Sequence, residues 1–232
     1  MKQIIIAVVV IVGIIVGATL IGGDSEVVTA ETSNNFYGQE EGVITLTEYA
    51  DFQCPACAGF YPIISQVKEA FQDQVRFEFK HFPLVQIHPN ATAAHRAAQA
   101  AGNQDKFWEM HDRLFEQQQS WSQTNSPADV FQEYARDLGL DMEQYNAEVG
   151  TSETLAVINA DIAIARDKGV SSTPTFYIDG EQIEDLNGLS TVQGFSAVIQ
   201  EAIDAKNGTA SETEENTETE AREEDTEATS TN

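Results

Sequence analysis

Asp51-Phe52-Gln53-Cys54-Pro55-Ala56-Cys57 holds the only two cysteines in the 232-residue chain. Residues 43–50, VITLTEYA, alternate in the manner of a strand, with Ile44, Leu46, Glu48 and Ala50 on one face. Beyond the cysteines Phe60, Ile63, Ile64, Val67 and Phe71 recur at helical spacing. The cysteines therefore stand where a strand gives way to a helix, and Pro55 suits the first helical position. Three residues apart at a helix start, they share a face and can meet. The free N–H groups and the dipole of a helix N-terminus stabilise a thiolate. A thiolate, not a thiol, attacks a disulfide. The expected roles are Cys54 as nucleophile and Cys57, one turn in, as resolving thiol.

Three other uses of the pair compete with this one. A zinc site needs about four ligands and one Cys-x-x-Cys supplies two. His81, His88, His95 and His111 stand at no spacing that resembles a zinc ligand pair. A purely structural disulfide over so short a loop would constrain the unfolded chain little. Two thiols could also hold a soft metal such as Cu(I) for delivery. Redox exchange fits the position best, so neither a metal nor another cofactor is expected.

The rest of the chain reads as strand, helix, strand, helical block, strand, strand, helix. Residues 75–82, VRFEFKHF, alternate Val75, Phe77 and Phe79 with Arg76, Glu78 and Lys80, giving a second strand. From about 88 to 169 the pattern is helical, with Gly102, Gly139 and Gly169 as stops after last turns. Asp105 is expected to cap the helix bearing Phe107, Trp108, Met110 and Leu114. Ser126-Pro127-Ala128-Asp129 combines a capping box with proline at the first helical position. Phe107, Trp108, Phe115 and Trp121 read as core of this block. Strand character returns at Thr175–Ile178, Asp179-Gly180 signals a tight hairpin, and a last helix spans about Thr191–Ala205. The fold class is α/β with an inserted helical subdomain.

The ends differ from this body. Residues 4–22 form an uncharged apolar run. As a helix it would rise about 28 Å, close to the ~30 Å of bilayer hydrocarbon. Lys2 precedes it, and Asp24 and Glu26 follow, so residues beyond the run are expected outside the membrane. Residues 1–22 read as a membrane anchor or, with Val28-Thr29-Ala30 as cleavage site, a signal peptide. Both readings export the protein into surroundings where a disulfide can persist. Residues 23–41 are polar and aperiodic and read as a linker, and residues 206–232 as a disordered acidic tail. The formal net charge of −26 argues against nucleic acid as a partner, because a phosphate backbone needs a basic face.

Phe52-Gln53-Cys54-Pro55-Ala56-Cys57 after a strand resembles the active-site segment of the DsbA-like branch of the thioredoxin superfamily. Pro62 matches the proline that kinks the active-site helix of thioredoxins. Gly169-Val170-Ser171-Ser172-Thr173-Pro174-Thr175-Phe176 is similar to the segment carrying the family's cis-proline, here Pro174 after Thr173. The resemblance implies a thioredoxin-like domain over 42–87 and 170–205, interrupted by a helical insertion over 88–169. It implies that Pro174 packs beside the cysteines and that the Thr173 backbone pairs with an extended substrate strand. An acid at the spacing of Glu48 lies under the active site in such proteins and assists proton movement at the buried cysteine, and Lys80 resembles the lysine that accompanies it. The histidine that many relatives carry between the cysteines is absent, and Ala56 occupies that site.

The function expected is disulfide introduction into exported proteins. Reduced exported polypeptides would be the substrates, and a membrane partner would reoxidise the pair. A reductase or isomerase on the same scaffold, or a non-catalytic peptide-binding or chaperone module, are the alternatives.

Overall fold

A computed structural model of the chain describes residues 31–208. Strand β1 (Asn35–Gly38) forms one edge of a five-stranded sheet and runs antiparallel to β3 (Val75–His81). β3 runs parallel to β2 (Ile44–Ala50), and helix α1 (Pro55–Phe71) crosses between them. β2 pairs on its other side with antiparallel β4 (Thr175–Ile178), and the two-residue β5 (Glu181–Gln182) completes the order β1-β3-β2-β4-β5. Between β3 and β4 lie α2 (Ala91–Gly102), α3 (Phe107–Glu116), α4 (Gln118–Trp121), α5 (Pro127–Asp137), α6 (Met142–Glu148) and α7 (Ser152–Asp167). A last helix, α8, covers 192–208. This is a thioredoxin-like α/β fold with an inserted helical subdomain.

Both faces of the sheet are covered, which is why its central strands carry apolar residues on both sides. On one face Ile44 and Leu46 of β2 meet Ile64 and Val67 of α1 and Phe195, Ile199 and Ile203 of α8. On the other, Tyr49 and Tyr177 pack with Phe82, Val170 and Ala165 of α7. The helical block has its own core, joined to the sheet through Phe52 and Phe79, whose rings stack at 4.8 Å. Trp121 is fully buried there and its indole donates to the Leu114 carbonyl at 2.8 Å. Phe107 and Phe115 are also buried in that core. Trp108 packs against that core, partly buried, and its indole N–H also reaches the sheet edge, where it donates to the Phe36 carbonyl at 2.6 Å.

Several expectations are corrected. The linker assigned to 23–41 contains β1, and Ser33 just before it is buried. The Ser33 N–H and hydroxyl donate to Asp161 of α7 at 3.0 and 2.5 Å, so a side chain 128 residues away orders this segment. Asp105 does not cap α3. It adopts a left-handed conformation, φ 58°, and Lys106 stands at the N-cap without a side-chain bond. Ser126 is the N-cap of α5 and Pro127 its first residue, yet the serine makes no capping bond. Gly102 belongs to the last turn of α2, against Phe107, whereas Gly139 and Gly169 have the positive φ of helix stops. Residues 206–208 continue α8, and Lys206 pairs with Asp179 at 2.7 Å, so the tail does not begin at 206. Asp179 and Gly180, φ 48° and 88°, form the anticipated hairpin. The apolar run 4–22 and residues 209–232 lie outside the described residues. Among the described residues no helix is long and apolar enough to cross a membrane.

Candidate active site

β2 ends at Ala50, and four residues later the chain enters α1 with Cys54 as N-cap, φ −70° and ψ 123°, and Pro55 at the first position. Proline has no N–H to leave unpaired there. The turn is tied by the Cys54 N–H donating to the Asp51 carbonyl at 3.0 Å, and the Cys54 carbonyl accepts the Ala58 N–H at 3.1 Å. Both cysteines carry free thiols and both are buried, Cys54 with 7% of its surface exposed and Cys57 with none. Cys54 therefore faces the outside and Cys57 the interior.

Their surroundings separate them further. A hydrogen bond from the Cys57 thiol is the largest influence on Cys54 and, against burial, holds its thiol down to about 5. Thr173 and the backbone N–H groups of Cys57 and Ala56 add to that effect. Burial pushes the Cys57 thiol well up, and its interactions with the Cys54 sulfur and with Glu48 push the same way. One sulfur is thus set to be a thiolate and its neighbour to hold its proton.

The Thr173–Pro174 peptide bond is cis, and both residues are buried at the entry to β4. The Thr173 carbonyl oxygen lies 3.5 Å from Cys54 Sγ. The structure therefore brings Thr173, and with it the cis bond to Pro174, to Cys54 across 119 residues of sequence.

Glu48 is buried on the α1 face of β2. Burial raises its carboxyl to about 7, opposed only by the charge of Lys68. Lys80 is not that partner. In the parallel register Lys80 stands beside Tyr49 and Glu48 beside Phe79, so Lys80 is on the opposite face of the sheet. There its ammonium donates to the Ser33 carbonyl and lies 3.9 Å from Glu78. The lysine on the Glu48 side is Lys68 of α1, itself buried. Its ammonium sits 3.9 Å from the Trp108 ring centre, 4.9 Å from that of Tyr37 and 3.9 Å from Asp112. Burial lowers its pKa, while Asp112 and Glu48 act to raise it. One signal in the sequence marks Lys68: it lies four residues after Ile64, on the apolar stripe of the helix.

Asp51 is a second residue that the sequence pattern did not single out. Fully buried, it accepts the Gln53 N–H at 2.7 Å, the Leu84 N–H at 2.8 Å and His88 Nδ1 at 2.7 Å. Those bonds and the nearby His95 keep its pKa low despite burial. Of the other histidines, His81 and His95 meet Nδ1 to Nδ1 at 2.7 Å, and His111 pairs with Asp112 at 2.7 Å. Among the described residues no three metal-ligating side chains converge.

A family model described as thioredoxin matches residues 30–201. The Na+/H+ antiporter NhaA 3 of Salinispora tropica is 34% identical over 166 residues, which is 72% of this chain and 24% of the antiporter. The chain thus spans about a quarter of the length of the curated relatives it matches. A thioredoxin-like oxidoreductase from Silicibacter pomeroyi superposes with a TM-score of 0.59 at 25% identity, over 75% of this chain and 92% of that one. Wolbachia pipientis alpha-DsbA1 superposes with a TM-score of 0.64 at 21% identity, over 75% and 93%.

Proposed function

We propose a function from one premise: the chain belongs to the thioredoxin family and has the fold of its DsbA-like thiol–disulfide oxidoreductases. On that premise it is an extracytoplasmic oxidant that introduces disulfides into exported polypeptides through Cys54 and Cys57. The observation that carries this reading is the split between the two thiols, Cys54 held down to about 5 and Cys57 pushed up. The apolar run 4–22 supports export.

In the oxidised chain a substrate thiolate attacks Cys54 Sγ, the more exposed sulfur. The Cys54–Cys57 bond breaks, and Cys57 leaves as a thiolate that takes up one proton. Glu48, with its carboxyl at about 7, is the group we assign to supply it. A second substrate thiolate then attacks the substrate sulfur of the mixed disulfide and releases Cys54 as a thiolate. A low pKa makes Cys54 the better leaving group. The substrate loses two electrons, and the cysteine pair gains them. A membrane redox partner that accepts those electrons would restore the disulfide. Thr173 and Pro174 stand where an extended substrate would lie against Cys54.

Refolding of a reduced, unfolded disulfide protein with the oxidised chain as sole oxidant tests the reading. Disulfides should form in proportion to oxidised chain added, and in a separate arm with a disulfide-bearing substrate the thiolate of Cys57→Ala should accumulate mixed disulfides by exchange that Cys54→Ala does not. A chain that reduces insulin readily but leaves the reduced substrate unoxidised would be a reductase instead.

A further inference from the structure

A seam of amide side chains joins the helical insertion to the redox turn, and the exchange steps above make no use of it. Gln118 of α4 is buried, and its Nε2 donates to two carbonyl oxygens, that of Phe52 at 2.8 Å and that of Cys54 at 2.9 Å. Gln53, between those residues, donates to the Ser122 carbonyl at 2.7 Å and accepts the Asn90 N–H at 2.7 Å. Asn90 in turn donates to the Thr124 carbonyl at 2.9 Å. The insertion thus grips residues 52–54 from outside the sheet.

The Cys54 carbonyl has two duties. It accepts the Ala58 N–H, which begins α1, and it accepts Gln118. An amide that spends both its N–H bonds on carbonyls two residues apart fixes the planes of both peptides. The peptides that follow carry the Ala56 and Cys57 N–H groups, which act on the Cys54 sulfur. A side chain needed only for packing would have no use for two donors here. An apolar one would leave two carbonyls short of partners in a buried seam.

We infer that Gln118 is a positioning residue: through its side-chain amide the helical insertion sets the aim of the first turn of α1 at the Cys54 sulfur. The inference deepens the oxidant reading and rests on it. It gives the insertion a part in the chemistry without contact with either sulfur.

The test uses the full chain, reduced, with Gln118→Met, which keeps length and volume but cannot donate. Ultraviolet absorbance of the thiolate is followed against pH. The Cys54 midpoint should rise by about 0.5–1 unit, so that alkylation below both midpoints slows roughly three- to tenfold. A role in packing alone would lower the melting temperature and leave that midpoint where it was. In the wild-type chain the Gln118 side-chain amide resonances should exchange slowly with solvent and shift with the Cys54 midpoint. A folded variant with an unchanged midpoint would overturn the inference. If the variant does not fold, wild-type Gln118 resonances that stay constant through the Cys54 titration would overturn it as well. The two readings fail separately. A wild-type chain with no low Cys54 midpoint removes the oxidant reading and this one with it. A low wild-type midpoint indifferent to Gln118 removes only the positioning role.

Discussion

Glu48 and Asp51 are three residues apart, both buried, and behave oppositely. Asp51 is met by two backbone N–H groups and by His88, and stays ionised in the interior. Glu48 has only the charge of Lys68 to set against its burial, and its carboxyl rises to about 7. Burial alone therefore does not decide what a carboxyl does; the number of donors aimed at it does. The donor-rich acid is a fixed anchor for the turn before Cys54. The donor-poor one is ready to exchange a proton near neutrality beside Cys57, whose thiol it acts upon.

Removing the anchor should produce the largest effect. Asp51→Ala leaves the Gln53 and Leu84 N–H groups and His88 without their acceptor, and should cost about 3–5 kcal/mol in urea unfolding. A loss below about 1 kcal/mol would show that the turn holds without it. Glu48→Gln should act in the other direction. With a folded value of about 7 against 4.5, wild-type Glu48 contributes stability that is complete below 4.5 and is lost as pH rises through 7. The variant lacks that loss and should be more stable than wild type by about 2–3 kcal/mol at pH 8, with no gain at pH 4. Its formation of the mixed disulfide, in which Cys57 takes up a proton, should slow, and the inflection of that rate near pH 7 should disappear.

The redox pair itself comes next. In the reduced chain Cys54 is held at about 5 against 9.0. Its contribution is therefore present above 9.0 and fades as pH falls through 5. At pH 7 about 2–3 kcal/mol should remain, so the reduced chain should melt above the oxidised one and the gap should close towards pH 5. Lysine exchange should give the smallest effect and the sharpest contrast. Lys68→Met removes the charge opposing Glu48 and should move the pH 7 inflection upward by roughly half a unit to one unit. Lys80→Met, on the far face, should leave the inflection alone and cost about 1 kcal/mol through Ser33. The reverse outcome would restore Lys80 as the partner of Glu48.

What could be read from the sequence was what neighbours in the chain determine. The strand-to-helix junction at Cys54, the Asp179-Gly180 hairpin and the strand face that Glu48 shares with Ile44 and Leu46 follow from local pattern and turn chemistry, whereas the place of Glu48 under the cysteines came through resemblance. The cis bond before Pro174 was accessible only through resemblance, because nothing local distinguishes it from a strand-opening proline. Strand β1 escaped notice because its four residues do not alternate and are ordered by β3 and Asp161, distant in sequence. Lys80 was carried over through resemblance alone, and strand alternation gives two faces without saying which strand lies beside which. The β2–β3 register assigns the faces, and Lys68 then emerges as the buried cation. The Gln118 contacts span 64 and 66 residues, and no periodicity in either segment announces them.

The central claim is that one sulfur of the pair is a thiolate while the other keeps its proton. Thiolate absorbance of the reduced chain against pH, with mass-spectrometric mapping of the alkylated cysteine, measures it directly. The account predicts a first midpoint near 5 with label confined to Cys54, and no Cys57 label until well above pH 9. A first midpoint close to that of an ordinary thiol, or early label on Cys57, would contradict it.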